Sequence, residues 1–415
     1  MFGWYLLAGG LLQGAPADTI TFTAADAVRR AVAVSPYVDA AQAAIRAPRG
    51  VRAELWSPLA GNPTLEVGGA RRRSNLLDAR DRDWAVTQEI AWAPWFARRR
   101  SADLSVRAAE ARRDDAVRLV ALDARRAFVT LFIAERRAAL ADSAAEFAER
   151  LAAFAHKQFA AGETNRLELN AAALEAARAR GNAERALAAD QAAAARLGAL
   201  LALPPDSAVR TGGVGIPAAV ALSDSLLLRL ALDRRPDLRA SLAEQNAMAS
   251  REVATKLSLL PSLAVGVTGG REGGTDALRG LQLGLRVPLV HQEQAARGEA
   301  AAAKGAATAA ATALQREIIA ELRTANAQFA RSADVHRRYV RDILPAASQN
   351  VTLTERALTE GEVGLTEVLV LRSSAVTAQL EYLEVLQEVL DAWAALATAA
   401  GVEPGELERL ARKGS

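Results

Sequence analysis

Apolar and polar residues alternate along four short stretches of the chain, at about residues 64–73, 83–92, 262–270 and 280–290. A period of two is typical of β-strands with one apolar face. The residues predicted to form that face are Trp84, Val86, Ile90, Trp92, Leu281, Leu283, Leu285 and Val287. The connection within each pair of stretches is polar. Each pair therefore predicts a β-hairpin with a hydrated tip.

Helix-forming runs occupy most of the remaining chain. Residues 24–56 and 223–259 predict a helix before each hairpin, and two very long runs follow at 97–161 and 292–360. At 1.5 Å per residue the long runs would extend about 98 and 104 Å. Pro345 predicts a kink or break in the second run. After residue 364 apolar residues recur three or four apart, which predicts one helical packing seam: Val376, Leu380, Leu383, Leu386, Leu390, Trp393 and Ala397.

The two halves of the chain repeat one plan. Ser35-Pro36 matches Arg235-Pro236 at an offset of 200 residues, and Gly162 matches Gly361 at an offset of 199. We therefore expect a first repeat at 18–203, with a helical hairpin at 97–203. We expect a second repeat at 223–401, with a helical hairpin at 292–401. Residues 204–222 read as a linker rich in Pro and Gly, and 402–415 as a C-terminal tail.

Composition narrows the class of protein. Hydrophobic residues make up 51% of the 415-residue chain but aromatics only 5%, which favours closely packed Ala-rich helices over a bulky core. The formal charge of +3 is small, and no basic stripe with interleaved aromatics predicts nucleic-acid binding. Without cysteine there is no disulfide, thiolate zinc site or cysteine nucleophile. Residues 1–17 read as a secretory signal peptide. No catalytic constellation, cofactor or metal site is predicted, so we expect no enzyme.

The strand-like stretches are long enough to cross a bilayer when tilted. Trp84 and Trp92 lie eight positions apart on one predicted strand, about 26 Å, near the spacing of aromatic girdles. Four strands cannot close a barrel, and open sheet edges do not survive in lipid. Strands that span a membrane would therefore have to be shared between copies, eight in a dimer or twelve in a trimer. A soluble helical scaffold with small hairpins would show the same alternation.

The landmarks of both repeats, in order and spacing, resemble the TolC-like outer-membrane efflux proteins over nearly the whole mature chain. They include Asn62-Pro63-Thr64-Leu65, Gln88-Glu89-Ile90, Arg235-Pro236-Asp237-Leu238, Val287-Pro288-Leu289 and the turn from Leu358 to Ala375. Ile343-Leu344-Pro345 and the Gly361 region are most similar to the heavy-metal efflux branch, associated with resistance-nodulation-division transporters. The chain lacks the lipidated cysteine of many relatives in the family, and it has Pro94-Trp95-Phe96-Ala97 in place of a Gly-Gly-Lys-like turn.

The resemblance implies a mixed α and β membrane protein, with four transmembrane strands and long helical hairpins in each chain. It implies a homotrimer with a 12-stranded β-barrel in the bacterial outer membrane and an α-helical barrel in the periplasm. Such a trimer would be the exit duct of a tripartite efflux system for metal cations or drugs. Its partners would be a periplasmic adaptor, an inner-membrane resistance-nodulation-division-type transporter and outer-membrane lipid. A type I protein-secretion duct is the nearest alternative.

Two glutamates mark the repeated turn, because Glu168 and Glu367 each lie six positions after the turn glycine. The resemblance implies that this region closes the periplasmic end and docks the adaptor. The gate candidates are Glu168, Glu367 and Arg166, with Arg166 expected to pair with a neighbouring acid. The expected docking turn comprises Gly162, Gly361, Val363, Gly364, Leu365 and Thr366. Alternatively, the glutamates are first-turn residues that complement a helix dipole.

Overall fold

The structure is a computed structural model that describes residues 19–74, 77–215, 223–273, 276–288, 292–360 and 363–414. The predicted signal peptide, the end of the predicted linker and Gly361 lie outside the described residues. The strands are β1 Thr19–Phe22, β2 Leu59–Ser74, β3 Leu77–Ile90, β4 Ala208–Thr211, β5 Ser262–Glu272 and β6 Asp276–Arg286. The helices are α1 Ala24–Val34, α2 Pro36–Ala44, α3 Arg46–Glu54, α4 Trp92–Ala160, α5 Arg166–Leu200, α6 Asp224–Arg234, α7 Pro236–Leu257, α8 Gln294–Arg338, α9 Leu344–Glu360, α10 Leu365–Ala399 and α11 Pro404–Gly414.

Strands occur at all four predicted stretches, but their limits differ. β2 and β3 run into the arginine-rich sequence that was expected to form a hydrated tip, because the cross-strand register continues to Ser74 and Leu77. β6 ends at Arg286 rather than near residue 290. Trp92 was predicted to be a strand residue and is instead the first residue of α4. Pro94 explains this, since a first-turn residue of a helix needs no N–H donor, whereas a paired strand residue does.

The predicted helices are also subdivided. The run 24–56 forms α1, α2 and α3 rather than one helix. α1 ends where Ser35, which precedes Pro36, takes an extended backbone with ψ of 119°. The run 223–259 breaks in the same way before Pro236. The disturbance expected at Pro345 appears as a π-helical segment, Tyr339–Ile343, directly before α9. The proline ring would clash with the carbonyl four residues earlier, and the wider π turn relieves that clash.

Two expectations about the connections were wrong. The predicted linker contains β4, which pairs in parallel with β1 to form a two-stranded sheet. The predicted C-terminal tail is helix α11, which buries Leu407 and Ala411. β4 was missed because a four-residue strand is too short to show a period and its partner lies about 190 residues away.

The chain separates into two compact units, and each takes segments from both halves of the sequence. One comprises the residues up to Pro36 with 117–228 and 321–415; the other comprises 37–116 and 229–320. In the first unit, Phe128, Leu131 and Leu197 are fully buried beneath the β1–β4 sheet residue Val209. The predicted seam of α10 is buried from Leu383 to Ala397, with Trp393 packed 4.9 Å from the ring of Phe329.

The second unit contains a four-stranded antiparallel sheet in the order β2-β3-β5-β6. Its helices are tied by charged contacts: Glu252 of α7 binds Lys256 at 2.6 Å and Lys304 of α8 at 2.8 Å. The two lysines lower the pKa of Glu252 to about 2.

Among the described residues no single helix has the length and apolar composition to cross a membrane. One pair of helices bent by 88°, Leu365–Ala399 with Pro404–Arg412, meets those two criteria jointly.

Candidate functional site

The first repeated turn follows the end of α4 at Ala160 and contains Gly162. Gly162 has φ of +80°, a left-handed conformation that favours glycine. Its N–H donates to the carbonyl of Phe159 at 3.1 Å, and the N–H of Glu163 donates to that of Gln158 at 2.9 Å. These two bonds form a Schellman motif, which satisfies carbonyls that the helix end would leave free. Gly162 is therefore needed for the shape of the turn, whatever else the turn contacts.

The side chain of Glu168 is engaged at the start of α5. Asn165 caps this helix, because its side-chain oxygen accepts from the N–H of Glu168 at 2.9 Å. The Glu168 carboxylate in turn accepts from the Thr164 hydroxyl. This local arrangement is the one expected of an acidic first-turn residue. It supports the helix-start interpretation of Glu168, and it identifies Asn165 as a residue that the sequence reading missed.

The second repeated turn differs from the first. Gly364 occupies the cap position of α10 and provides no side-chain cap. Its carbonyl accepts from the N–H of Glu367 at 3.1 Å. The side chains of Thr366 and Glu367 are exposed. Among the described residues no ion pair reaches Glu367 or Arg166, so the expected pairing of Arg166 with an acid does not occur within the described part of the chain. Glu367 is thus the more available of the two gate glutamates.

The two turns are held together by a small core, which we call the tip cluster. It consists of Leu151, Ala155, Ala172, Leu365 and Val368, with Phe147, Ala152, Leu169, Val363 and Leu369 partly buried against it. Leu365 is only 4% exposed and Val368 only 1%. Its burial gives Leu365 a packing role in the turn, and its predicted docking of a partner stays a prediction. An apolar side chain at the first position of a helix gives no sequence signal for either role.

Above the tip cluster α10 does not pack fully against α4 and α5. A cavity of about 150 Å³ remains, lined on one side by small residues such as Ala144 and Ala179. The guanidinium carbon of Arg372 lies 4.5 Å from the ring centroid of Phe147 at this cavity. A cation over an aromatic face is a stabilising contact. Neither residue was singled out from the sequence, because this contact joins helices more than 200 residues apart.

The four-stranded sheet has one apolar and one polar face. In an antiparallel ladder directly opposed residues share a face, and Val86, Val267 and Leu281 form one such row. Leu281, Leu283 and Leu285 are 85%, 75% and 65% exposed in the single chain. An apolar face of this kind is typical of a surface that contacts another protein or a membrane. Trp84 and Ile90 share this face, whereas Val287 follows the end of β6.

The opposite face of the sheet carries polar groups. Glu89 accepts from the Ser262 hydroxyl at 2.6 Å and binds Arg286 at 3.0 Å. In the described part of the chain the outer edges of β2 and β6 have no strand partner. The described residues also contain no group of three or more acidic or histidine side chains arranged to hold a metal ion. The sheet therefore offers an apolar face, a polar face and two open edges.

Known proteins with this arrangement are outer-membrane channels. Residues 227–402 match the family profile described as outer membrane efflux protein. The structure of CusC superposes with a TM-score of 0.75 at 16% identity, covering 95% of this chain and 96% of that one. VceC from Vibrio cholerae gives a TM-score of 0.76 at 15% identity, covering 91% and 96%. CmeC from Campylobacter jejuni gives 0.74 at 14% identity, covering 94% and 89%. No match was found among curated protein sequences.

These comparisons confirm the predicted resemblance to the TolC-like outer-membrane efflux proteins. They also confirm the outer-membrane location with a large helical portion in the periplasm, and a fold that mixes sheet with predominant helix.

Proposed function

From the premise of an outer membrane efflux protein with the channel fold, we propose that this chain is the exit duct of a tripartite efflux system. Three copies share a 12-stranded β-barrel in the outer membrane, and their helical hairpins form a tunnel through the periplasm. The duct conducts its cargo passively and involves no reaction step. Energy comes from an inner-membrane transporter of the resistance-nodulation-division type, joined to the duct by a periplasmic adaptor.

The observation that carries this proposal is the four-stranded sheet with an apolar face and two open edges. Exposed backbone N–H and C=O groups at those edges would each cost several kcal/mol in lipid, roughly as for any unsatisfied polar group. Pairing β2 of one copy with β6 of the next removes both edges. Three copies contribute twelve strands, which is enough for a barrel with an open interior, whereas eight would be filled by side chains.

The periplasmic gate is proposed to lie at the two turns. Two glutamates per chain give six in three copies, and a ring of carboxylates attracts cations. Because Glu168 is engaged by Thr164 and the helix start, Glu367 contributes the more available charge to such a ring. The proposed contacts for the adaptor remain Gly162, Gly361, Val363, Gly364, Leu365 and Thr366.

A bilayer conductance measurement tests the gate. In the closed state Glu367→Gln should change the leak current or its cation selectivity, while Glu168→Gln should act mainly through helix stability. The matched control is Glu163→Gln, because Glu163 lies on the first turn, beside Glu168, but outside the proposed ring. Equal closed-state currents and selectivities for all three variants and the wild type would remove Glu367 from the gate.

The cargo is proposed to be metal cations or drugs. A strain lacking the chain can be challenged with a panel of metal salts and a panel of cationic dyes. Restored tolerance to one panel identifies the class of cargo. Restored export of a secreted protein, with no change in either tolerance, would favour the type I secretion duct instead.

A further inference from the structure

The tips of the two β-hairpins carry arginines on the same face as the apolar residues. The register pairs Arg82 with Arg271 and Gly269 with Arg279. Trp84 is opposite Gly269, so it shares a face with Arg279, and Arg82 and Arg271 follow two residues further along their strands. Two residues of a strand span about 7 Å. Arg279 therefore lies level with Trp84, and Arg82 and Arg271 lie immediately beyond it, all three on the apolar side of the sheet.

The arginine surface extends toward the hairpin tip. β2 pairs Gly69 with Arg82 and Arg71 with Arg80, which places Arg71, Arg73 and Arg80 on that face too. We call these six residues the outer arginine face: Arg71, Arg73, Arg80, Arg82, Arg271 and Arg279. All six are exposed.

Of the acidic residues near the tip, Asp78 is opposite Arg73 on the arginine face, whereas Asp81 and Asp83 lie on the other face. Asp81 and Asp83 flank Arg82 along β3, and their side chains point opposite to it. Asp81 is already bound, because it accepts from Arg72 at 2.8 Å and from the N–H of Gly273 at 2.8 Å. Glu272 also binds Arg72. Among the described residues no carboxylate pairs with Arg82, Arg271 or Arg279. Their charge is directed outward without a protein counter-ion there.

Trp84 marks the level at which this charge begins. Its indole ring lies flat over Gly269, so close that a Cβ at 269 would be 2.7 Å from Cζ2 of the ring. Tryptophan side chains concentrate where hydrocarbon meets headgroups. Because Arg279 is level with Trp84 and the other arginines follow beyond it, they occupy headgroup depth. A guanidinium forms paired hydrogen bonds with phosphate, and arginine is favoured wherever phosphate is recognised.

We propose that the outer arginine face binds the phosphate groups of lipid headgroups in the leaflet that surrounds the hairpin tips. This inference rests on the proposed function, since only a membrane-spanning barrel places the apolar face and its arginines against lipid. The partner is a phosphorylated lipid surface rather than free phosphate, because binding combines the arginines with the apolar rows below them.

Titration of the detergent-extracted assembly with a diphosphorylated disaccharide lipid, followed by native mass spectrometry, tests the proposal. The same lipid without its phosphates is the reference ligand. The wild type should retain the phosphorylated lipid far more tightly. Since each arginine near a charged lipid surface contributes roughly a fivefold effect, Arg82→Gln/Arg271→Gln/Arg279→Gln should weaken that binding about 100-fold. Arg178→Gln/Arg316→Gln/Arg323→Gln removes the same charge from exposed helical positions and should change it less than about twofold.

Equal binding of the two lipids by the wild type, or wild-type binding by the strand variant, would overturn the proposal while leaving the duct intact. Should the triple variant fail to assemble, Arg279→Gln on the edge strand β6 provides the same comparison with an expected loss of about fivefold. A wild-type protein that is never found in the membrane would instead refute the proposed function itself.

Discussion

Replacing Leu365 by Ala removes the central side chain of the tip cluster. Leu365 is 4% exposed and packs with Val368 against Leu151, Ala155 and Ala172. Truncation of a buried leucine to alanine costs about 2–5 kcal/mol, depending on how far the neighbours collapse into the space. Two of the neighbours are alanines, which are too short to fill the gap. We therefore expect the first turns of α10 to be destabilised by about 2–4 kcal/mol.

Hydrogen exchange of the backbone amides in α10 measures this change directly, because the free energy of local opening sets the exchange rate. With a tenfold change for each 1.4 kcal/mol, Leu365→Ala should speed exchange in the first two turns of α10 by about 30- to 700-fold. Leu167→Ala is the matched control, since Leu167 lies on the neighbouring turn and is 77% exposed. It should change exchange by about twofold or less.

The same variants separate a packed turn from a docking turn. A loosened tip cluster should also raise the closed-state leak current of Leu365→Ala in a bilayer. Unchanged exchange in α10, together with lost adaptor binding, would show that Leu365 faces a partner in the assembled protein and that the burial argument is wrong.

Three further changes test other parts of the structure. Asn165→Ala should destabilise the start of α5 by about 1 kcal/mol, with Asn165→Asp retaining most of the stability, as read from hydrogen exchange. Because the pKa of Glu252 is lowered to about 2 from an ordinary value of 4.5, its ion pairs contribute stability above pH 4.5 that is lost as the pH falls toward 2. The thermal midpoints of wild type and Glu252→Gln should thus differ at pH 7 and converge at low pH. Gly270→Ala should reduce the folded yield, since a Cβ there would lie 2.5 Å from backbone of the next strand, whereas Gly284→Ala meets only ordinary contacts at 3.5 Å and should be tolerated.

Periodicity predicted the elements whose burial follows a regular pattern. The alternation at 281–285 gave a strand with one exposed apolar face, and the spacing from Leu383 to Ala397 gave a buried helical seam. Both signals arise because one face of each element must leave water. The offset of about 200 residues between the repeats predicted the position of the second turn from the position of the first.

Features that depend on distant partners could not be predicted. β4 is recognisable only beside β1, and the contact of Arg372 with Phe147 requires helices from both repeats. Trp92 was assigned to a strand because an apolar residue at this position fits both the strand period before it and the helix period after it. Pro94 distinguishes the two, since it fits the first turn of α4 but not a paired strand. Leu365 shows the same ambiguity, since its burial depends on residues of α4 and α5.

The central claim is that copies of this chain complete each other's sheet in the outer membrane. The most direct test is the native mass of the particle extracted from purified outer membranes with a mild detergent that is removed before detection. We predict three copies of the mature chain, from a precursor of 43.8 kDa, in one membrane-derived particle. A water-soluble monomer or dimer absent from the membrane fraction would contradict the account, because the apolar sheet face and its open edges would then need a different partner.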